Sequence, residues 1–468
     1  MLFNSVIFFI FLPIVFAIYW SLKKHLAFQN AFLVLASYVF YGWWDWRFLG
    51  LIVFSTVLDF LLAQNMNKAR LALSLVGNLG VLVLFKYYNF FVDSWVEAWG
   101  ALGVEMHPAT MQIILPVGIS FYTFQTLSYS IDVFRGKLKH TDDPIAFAAF
   151  VGFFPQLVAG PIERAVKLLP QIEKPRVFDS EQAVSGLRLM LWGMFKKVVV
   201  ADTCARYADM IFNDPSSHST PTLLLGAVYF SFQIYGDFSG YSDIAIGTSR
   251  LFGINLSTNF KVPYFSRDIG EFWRRWHISL STWFRDYLYI PLGGSRGGKV
   301  RVVRNVFIIF LVSGLWHGAN WTFVAWGGVH ALLFVPLIVL GKNRKHADGV
   351  VADGRLLPKF NELVSMLVTF SLVTLAWIFF RAESISHAGE YFSEILNWNL
   401  SGDVMFVKLA FFFVIIMLGV DWLSRTGEIP SRWLSPKMLP IRWSVYALAV
   451  VMILKSLQNG SSFIYFQF

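Results

Sequence analysis

The chain has 468 residues, of which 56% are hydrophobic and only 15% are charged, and its mean hydropathy is +0.56. Soluble proteins carry roughly 25% charged residues, so the composition excludes a water-soluble globular protein and indicates an integral membrane protein. The formal net charge of +10 comes from Lys and Arg residues that recur between apolar segments, and this spacing argues against a nucleic-acid-binding module.

Apolar spans alternate with short loops in the first part of the chain. The predicted spans lie near residues 2 to 20, 27 to 43, 48 to 63, 71 to 92 and 112 to 133. Basic residues occupy alternate loops, as the positive-inside rule requires, whereas the loop 93 to 110 has no Lys or Arg and is expected outside. Lys23 and Lys24 follow the first span instead of preceding it, so we expect a retained span with its N-terminus outside.

The segment 142 to 160 is apolar but interrupted by proline and glycine, which favours a re-entrant hairpin over a crossing. Further spans are predicted near 183 to 212, 222 to 252, 305 to 316, 320 to 341, 362 to 380, 407 to 423 and 443 to 458. No repeat or soluble domain is evident. The sequence thus predicts an all-α polytopic protein with about eleven to twelve transmembrane helices, in a single domain over residues 1–468.

Polar side chains recur at helical spacing inside the span 222 to 252. Gln233, Asp237 and Tyr241 follow one another every four residues. A carboxylate that faces lipid is unfavourable by ~2.5 to 3.5 kcal/mol, so this face is expected to look into the protein. Two interpretations remain open, a polar-lined passage and an interhelical hydrogen-bond network.

Residues 264 to 298 are neither apolar enough to cross a membrane nor polar enough to leave it. Trp273, Trp276 and His277 begin an aromatic stripe at helical spacing, which predicts an amphipathic helix at the inner interface. One interpretation is a membrane-surface anchor. The other is that His277 and the neighbouring arginines line an entrance for an anionic substrate.

His317 lies where an apolar segment turns after about a dozen residues. A helix needs ~20 residues to cross a ~30 Å hydrocarbon core, so this segment is expected to end inside the membrane. An ionisable side chain at that depth is costly unless it faces protein or water, which makes His317 a candidate functional residue. The alternative is a histidine at a helix end that is bonded to a carbonyl group.

Four segments together resemble one protein family. They are LVAGPIERA (158 to 166), FQIYGDFSGYSDIAIG (232 to 247), NFKVPYFSRDIGEFWRRWHISLSTWFRDYLYIPLGGSRGG (259 to 298) and SGLWHGANWTFVAWGGVHALL (313 to 333). This combination is similar to the membrane-bound O-acyltransferase family, in the bacterial branch that contains alginate O-acetyltransferase. The closing FIYFQF also resembles that branch.

The resemblance implies a funnel-shaped helical fold in which an acyl group from a cytoplasmic thioester reaches a hydroxyl acceptor across the membrane. It implies His317 as the catalytic histidine, at the WHG position, and His277 as the second histidine. The expected donor is acetyl-CoA or another acyl thioester, with no bound cofactor. Expected partners are extracytoplasmic polysaccharide-acetylating proteins and membrane lipid, in a bacterial inner membrane. Residues expected to bind the donor or line a tunnel are Arg274, Arg275, Arg296, Trp276, Asp237, Gln233, Tyr241, Trp316 and Asn320.

The chemistry follows from the residue types. Acyl transfer to a hydroxyl needs a base, and a neutral imidazole is well suited to that role near pH 7, so we expect His317 to act as general base. His277 would position the donor or relay a proton. A covalent route through Cys204, the only cysteine, is an alternative without an evident base beside it. That single cysteine also excludes an internal disulfide, and no metal site is predicted.

Two other classes of function remain open. A transporter of an acyl donor or sugar precursor would use the same polar spans, although no matched pair of broken helices occurs in two halves of the chain. A scaffold for a polysaccharide-modifying complex would use the outer loops 93 to 110 and 382 to 405.

Overall fold

The computed structural model describes residues 1–107, 113–158, 160–347, 349–427, 439–457 and 463–464. Every regular element in these ranges is helical, so the predicted all-α polytopic class is confirmed. Within the same ranges, six helical stretches are long and apolar enough to cross a membrane. These are Trp46–Ala63, Lys68–Ala101, Lys299–His317, Trp321–Val339, Phe360–Arg381 and Leu439–Ser456.

The chain divides into two compact units, the first formed by Met1–Leu187 and Ala245–Ser257. Its helices are α1 (Val6–Ser21), α2 (Leu26–Gly42), α3 (Leu49–Ala63), α4 (Lys68–Leu82), α5 (Tyr88–Ala101), α6 (Ile119–Phe134), α7 (Pro144–Gly152), α8 (Phe154–Leu157) and α9 (Ala165–Glu173). A buried arginine connects α2 with the segment that follows α9. Arg176 donates to the side-chain oxygens of Gln29 and Asn30 at 2.9 and 2.5 Å.

The second unit is formed by Arg188–Ile244 and Thr258–Phe468. The remaining helices are α10 (Ser180–Met194), α11 (Asp202–Asn213), α12 (Thr220–Leu251), α13 (Ile269–Arg275), α14 (Ile278–Phe284), α15 (Lys299–His317), α16 (Trp321–Val339), α17 (Phe360–Arg381), α18 (Ile385–Leu396), α19 (Lys408–Ser424) and α20 (Leu439–Ser456). Helices α10 and α12 contribute residues to both units. Both predicted histidines belong to the second unit.

Glycines bring α15 and α16 unusually close together. A Cβ atom at Gly314 would lie 2.1 Å from the Phe323 carbonyl oxygen, and one at Gly327 would lie 2.2 Å from that of Phe310. Small residues allow such backbone contact between membrane helices, where close van der Waals packing drives association. The two helices therefore form a tight hairpin that fixes the position of His317.

Two predicted segments differ in length from the helices observed. The span predicted at 71 to 92 belongs to one continuous helical stretch, Lys68–Ala101, so part of the predicted outer loop is helical. The predicted short segment 305 to 316 is the end of α15, which begins at Lys299. Helix hydrogen bonds are internal to the segment, so a helix can continue past its apolar part where polar side chains reach water.

The interfacial segment also differs from its prediction. The expected amphipathic helix is broken at His277, which has a positive φ of 45°, into α13 and α14. Most of the aromatic stripe is buried in protein: Trp276, His277, Leu280, Trp283 and Phe284 are each less than 9% exposed. The surface-anchor interpretation is therefore wrong for this face.

The two remaining irregular segments contain short helices. The predicted re-entrant segment consists of α7 and α8, separated by a break at Phe153, which fits an interrupted segment. The predicted outer loop 382 to 405 contains α18. Of the closing FIYFQF, only Phe463 and Ile464 lie within the described residues.

Candidate active site

His317 is the last residue of α15, and the chain turns there for local reasons. Gly318 follows it as the C-cap residue, and Asn320 caps α16 by accepting a hydrogen bond from the Thr322 backbone N–H at 2.9 Å. The Asn320 amide donates to the Glu383 carbonyl at 2.9 Å. Asn320 therefore shapes the turn, and its side chain is occupied by these bonds.

An aromatic cage surrounds the His317 imidazole, which is 3% exposed. Trp316, Trp326 and Phe380 meet it edge to face, with centroid separations of 4.9, 5.1 and 5.4 Å. The cage excludes bulk water from the imidazole on these sides.

His277 lies beside His317, although forty residues separate them in the sequence. Their ring centroids are 6.3 Å apart, and Trp316 contacts both rings, at 5.9 Å from His277. His277 is fully buried. Its left-handed backbone conformation is unfavourable for a non-glycine residue by ~1–3 kcal/mol. Residues in such strained conformations cluster at functional sites.

A hydrogen-bond network selects the tautomer of His277. Its Nδ1 lies 3.1 Å from Asn259 Oδ1, while Asn259 Nδ2 donates to Ser242 Oγ at 3.1 Å. The Ser279 hydroxyl donates to the same Asn259 oxygen at 2.9 Å. Since that oxygen is an acceptor, Nδ1 carries the proton and Nε2 holds the basic lone pair. Burial lowers the pKa of His277, which lies between the spans, to about 3, so the ring is neutral at pH 7.

A cavity of about 300 Å³ adjoins this region of the second unit. Its wall is largely apolar and includes Trp273 and Phe310, and it reaches Ser313, one helical turn before His317. Three arginines also line it, namely Arg274, Arg285 and Arg344. An apolar pocket with a few convergent polar groups is the usual form of a small-molecule site.

Arg274 is the arginine best prepared for a ligand. Its Nη1 donates to the Asn343 carbonyl at 3.1 Å, whereas its buried Nε and Nη2 have no hydrogen-bond partner among the described residues. A guanidinium presents its donors in a fork that matches phosphate or carboxylate oxygens. This side chain can therefore hold an anionic group at the cavity.

Comparison with known proteins shows the family to which the chain belongs. The family model described as MBOAT, membrane-bound O-acyltransferase family, matches residues 40–347. The chain belongs to the membrane-bound O-acyltransferase family. The family establishes that the protein is a membrane-embedded acyltransferase.

Individual relatives of this acyltransferase agree with the family model. The chain is 37% identical to the probable alginate O-acetylase AlgI of Pseudomonas putida, over all of both chains. It is 40% identical to the protein of the same name from Pseudomonas aeruginosa, over 86% of this chain and 76% of the relative. The peptidoglycan O-acetyltransferase of Helicobacter pylori is 36% identical over 85% and 80% of the two chains.

The other predicted site residues of the acyltransferase fall into two groups. Trp316 and Trp276 belong to the aromatic cluster that surrounds the histidines, with Trp276 packed on Trp377 at 5.1 Å. Arg275 instead pairs with Glu271 at 2.9 Å and donates to the Gly349 carbonyl. Arg296 is exposed in the loop before α15.

The polar stripe of α12 forms a buried network. Asp237 lies 2.7 Å from Lys197 Nζ, and the Lys197 ammonium lies 5.8 Å from the centroid of the Tyr241 ring. Gln233 is buried on the same helix, and its Oε1 has no hydrogen-bond partner among the described residues. For Asp237 and Tyr241 the structure therefore favours the interhelical network over a polar-lined passage.

Two side chains of the site were not singled out by sequence reasoning. Asn259 gives no periodic signal, because it precedes His277 by eighteen residues in an irregular stretch. His330 is fully buried in α16 and accepts a hydrogen bond at Nδ1 from the Trp273 indole at 3.3 Å. The sequence feature that indicates His330 is a polar ring on an otherwise apolar face of a helix.

Proposed function

We propose that this acyltransferase transfers an acetyl group from a cytoplasmic thioester to hydroxyls of an extracytoplasmic polysaccharide, directly or through a partner protein. The names of its relatives support acetyl as the transferred group and alginate or peptidoglycan as the kind of acceptor. The proposed location is the bacterial inner membrane, with the basic loops on the cytoplasmic side.

The observation that carries this proposal is the pair of buried imidazoles with ring centroids 6.3 Å apart. In the proposed reaction His317 takes the proton from the acceptor hydroxyl while the oxygen attacks the thioester carbonyl carbon. The tetrahedral intermediate then collapses, the C–S bond breaks, and the thiolate leaves with a proton returned by the imidazolium. His277 positions the donor or relays a proton.

The position of His317 along α15 supports transfer within the membrane. Lys299, Arg301 and Arg304 at the beginning of the helix are suited to the cytoplasmic interface. His317 follows Arg304 by thirteen residues, which is about 20 Å along a helix. Such a depth would bring the acyl group most of the way across the hydrocarbon core before it meets its acceptor.

The cavity supports a thioester donor that carries phosphate, with acetyl-CoA as the first compound to test. Its apolar wall can hold an extended acyl-bearing arm, and Arg274, Arg285 and Arg344 offer positive charge to phosphates. Ser313, on its wall, precedes His317 by one turn, or about 6 Å along the helix. The arm could therefore deliver its acyl group near the imidazole.

His317→Ala tests the proposal, with His25→Ala as the matched histidine control because His25 lies at the start of α2 in the other unit. Each variant is expressed in cells that lack the native enzyme, and extracellular polysaccharide is analysed by mass spectrometry. We expect normal membrane insertion of both variants and no acetylation with His317→Ala. Retained acetylation in that variant would reject the general-base role.

The purified enzyme separates acyl transfer from transport. With acetyl-CoA and an acceptor in detergent, an acyltransferase releases free coenzyme A, whereas a carrier without chemistry leaves the thioester intact. Absence of release under conditions where polysaccharide is acetylated in cells would point to another donor, such as an acyl carrier protein.

A further inference from the structure

Phe463 and Ile464, which come after α20 in the sequence, lie in the interior of the second unit. Phe463 and Ile464 are 0% and 2% exposed. The Phe463 ring packs on Tyr241 and Phe238, with centroid separations of 4.2 and 6.1 Å. The Ile464 backbone N–H donates to Asp237 Oδ2 at 2.7 Å. Both residues are thus attached to one turn of α12.

The same turn of α12 is held by buried charges. Lys197 Nζ lies 2.7 Å from Asp237 Oδ1 and 2.7 Å from Asp202 Oδ1, and all three side chains are less than 5% exposed. A buried ion is tolerated only when its charge and hydrogen-bonding capacity are satisfied. Asp237 therefore has one oxygen in an ion pair with Lys197, while the other accepts a hydrogen bond from the Ile464 backbone N–H.

Phe238 connects this turn with the candidate active site. Its ring meets the His277 imidazole edge-on, with centroids 4.6 Å apart and an interplanar angle of 88°. The hydrogen bond from Nδ1 to Asn259 anchors one side of the His277 ring, and the rings packed on the imidazole limit its rocking about that bond. The Phe238 contact restricts that motion, and Phe463 packs against Phe238.

We propose that Phe463 and Ile464 are positioning residues, which brace the Asp237–Tyr241 turn so that Phe238 keeps the His277 imidazole oriented beside His317. The inference rests on the proposed function, because it assigns His277 a part in the reaction. These two residues act through α12 and do not contact the substrates.

Steady-state kinetics of the purified enzyme with acetyl-CoA test this role. We expect Phe463→Ala to lower kcat about tenfold or more, since small displacements of a catalytic group cost up to ~10²-fold, with the donor KM within about twofold. Phe463→Tyr keeps the aromatic ring and should have a kcat close to that of the parent enzyme. Phe463→Leu keeps a buried apolar side chain, so its kcat should lie between those of the parent enzyme and Phe463→Ala. It takes the place of the alanine variant if that variant does not fold.

The backbone hydrogen bond is tested separately at Ile464. Ile464→Pro removes the N–H that Asp237 accepts and should lower kcat in the same way, whereas Ile464→Val keeps the donor and should behave as the parent enzyme. Equal kcat for the proline and valine variants would reject the proposed link through Asp237.

Phe212→Ala controls for a general loss of packing. Phe212 is fully buried in α11 and stacks on Tyr391 at 4.3 Å, so its truncation removes the same ring volume. We expect this variant to lower Tm about as much as Phe463→Ala but to retain kcat. If Phe463→Ala loses no more kcat than Phe212→Ala while His317→Ala is inactive, the positioning role fails and the proposed function stands. An active His317→Ala would instead reject the proposed general-base role, and with it the part assigned to His277.

Discussion

Two adjacent glycines of α16 provide the sharpest test of the hairpin that carries His317. A Cβ atom at Gly327 would lie 2.2 Å from the Phe310 carbonyl oxygen and 2.9 Å from its carbon, both backbone atoms of α15. A Cβ atom at Gly328 would meet only the Leu311 side chain, at 3.8 Å, which is ordinary contact. Substitution by alanine is therefore expected to destabilise the protein at Gly327 but not at Gly328.

Gly327→Ala requires α15 and α16 to separate by about 1 Å before normal van der Waals contact is restored. Overpacking of this kind costs about 1–3 kcal/mol of stability. The separation also moves the His317 imidazole relative to Trp326, and a displacement of that size lowers kcat by up to ~10²-fold. Gly328→Ala should be neutral, or more stable by about 0.5–1 kcal/mol, because alanine favours a helix over glycine.

Thermal unfolding in detergent, followed by tryptophan fluorescence, and acetyl transfer by the purified variants measure both effects. We expect a lower Tm and a lower kcat for Gly327→Ala alone. If the two variants had the same Tm and the same kcat, the close approach of α15 and α16 would be refuted as the feature that fixes His317.

Three further predictions concern the site itself. Arg274→Gln should raise the KM for acetyl-CoA several-fold, because Arg274 lines the cavity with two donors that have no hydrogen-bond partner in the described part of the chain. Arg275→Gln should leave this KM unchanged, since Arg275 pairs with Glu271. Equal effects of the two substitutions would show that the cavity is not the donor site. Asn259→Ala should lower kcat about tenfold or more, because the His277 ring loses the acceptor that keeps the proton on Nδ1. Asn259→Asp should retain turnover, because a carboxylate accepts a hydrogen bond from the same N–H. Unchanged kcat in the alanine variant would contradict the assigned tautomer. Cys204→Ser should retain turnover, as the thiol is fully buried in α11, and a folded but inactive variant would favour a covalent route.

The sequence alone predicted the features that depend on local patterns. Composition excludes a soluble protein, and apolar runs between basic loops predict most of the helices. The turn after His317 follows from Gly318 and Asn320, which end one helix and cap the next. These signals are readable because helix formation and membrane insertion are governed by residues a few positions apart.

Tertiary structure decided which of these elements meet. Three contacts at the site join residues that are far apart in the chain: His277 with His317, Asn259 with His277, and Phe463 with α12. Such contacts leave no periodic pattern in a single sequence. The break between α13 and α14 at His277 also depends on tertiary contacts. An isolated helix would avoid the left-handed backbone conformation of His277, and burial of its aromatic neighbours and the hydrogen bond to Asn259 offset its free-energy cost.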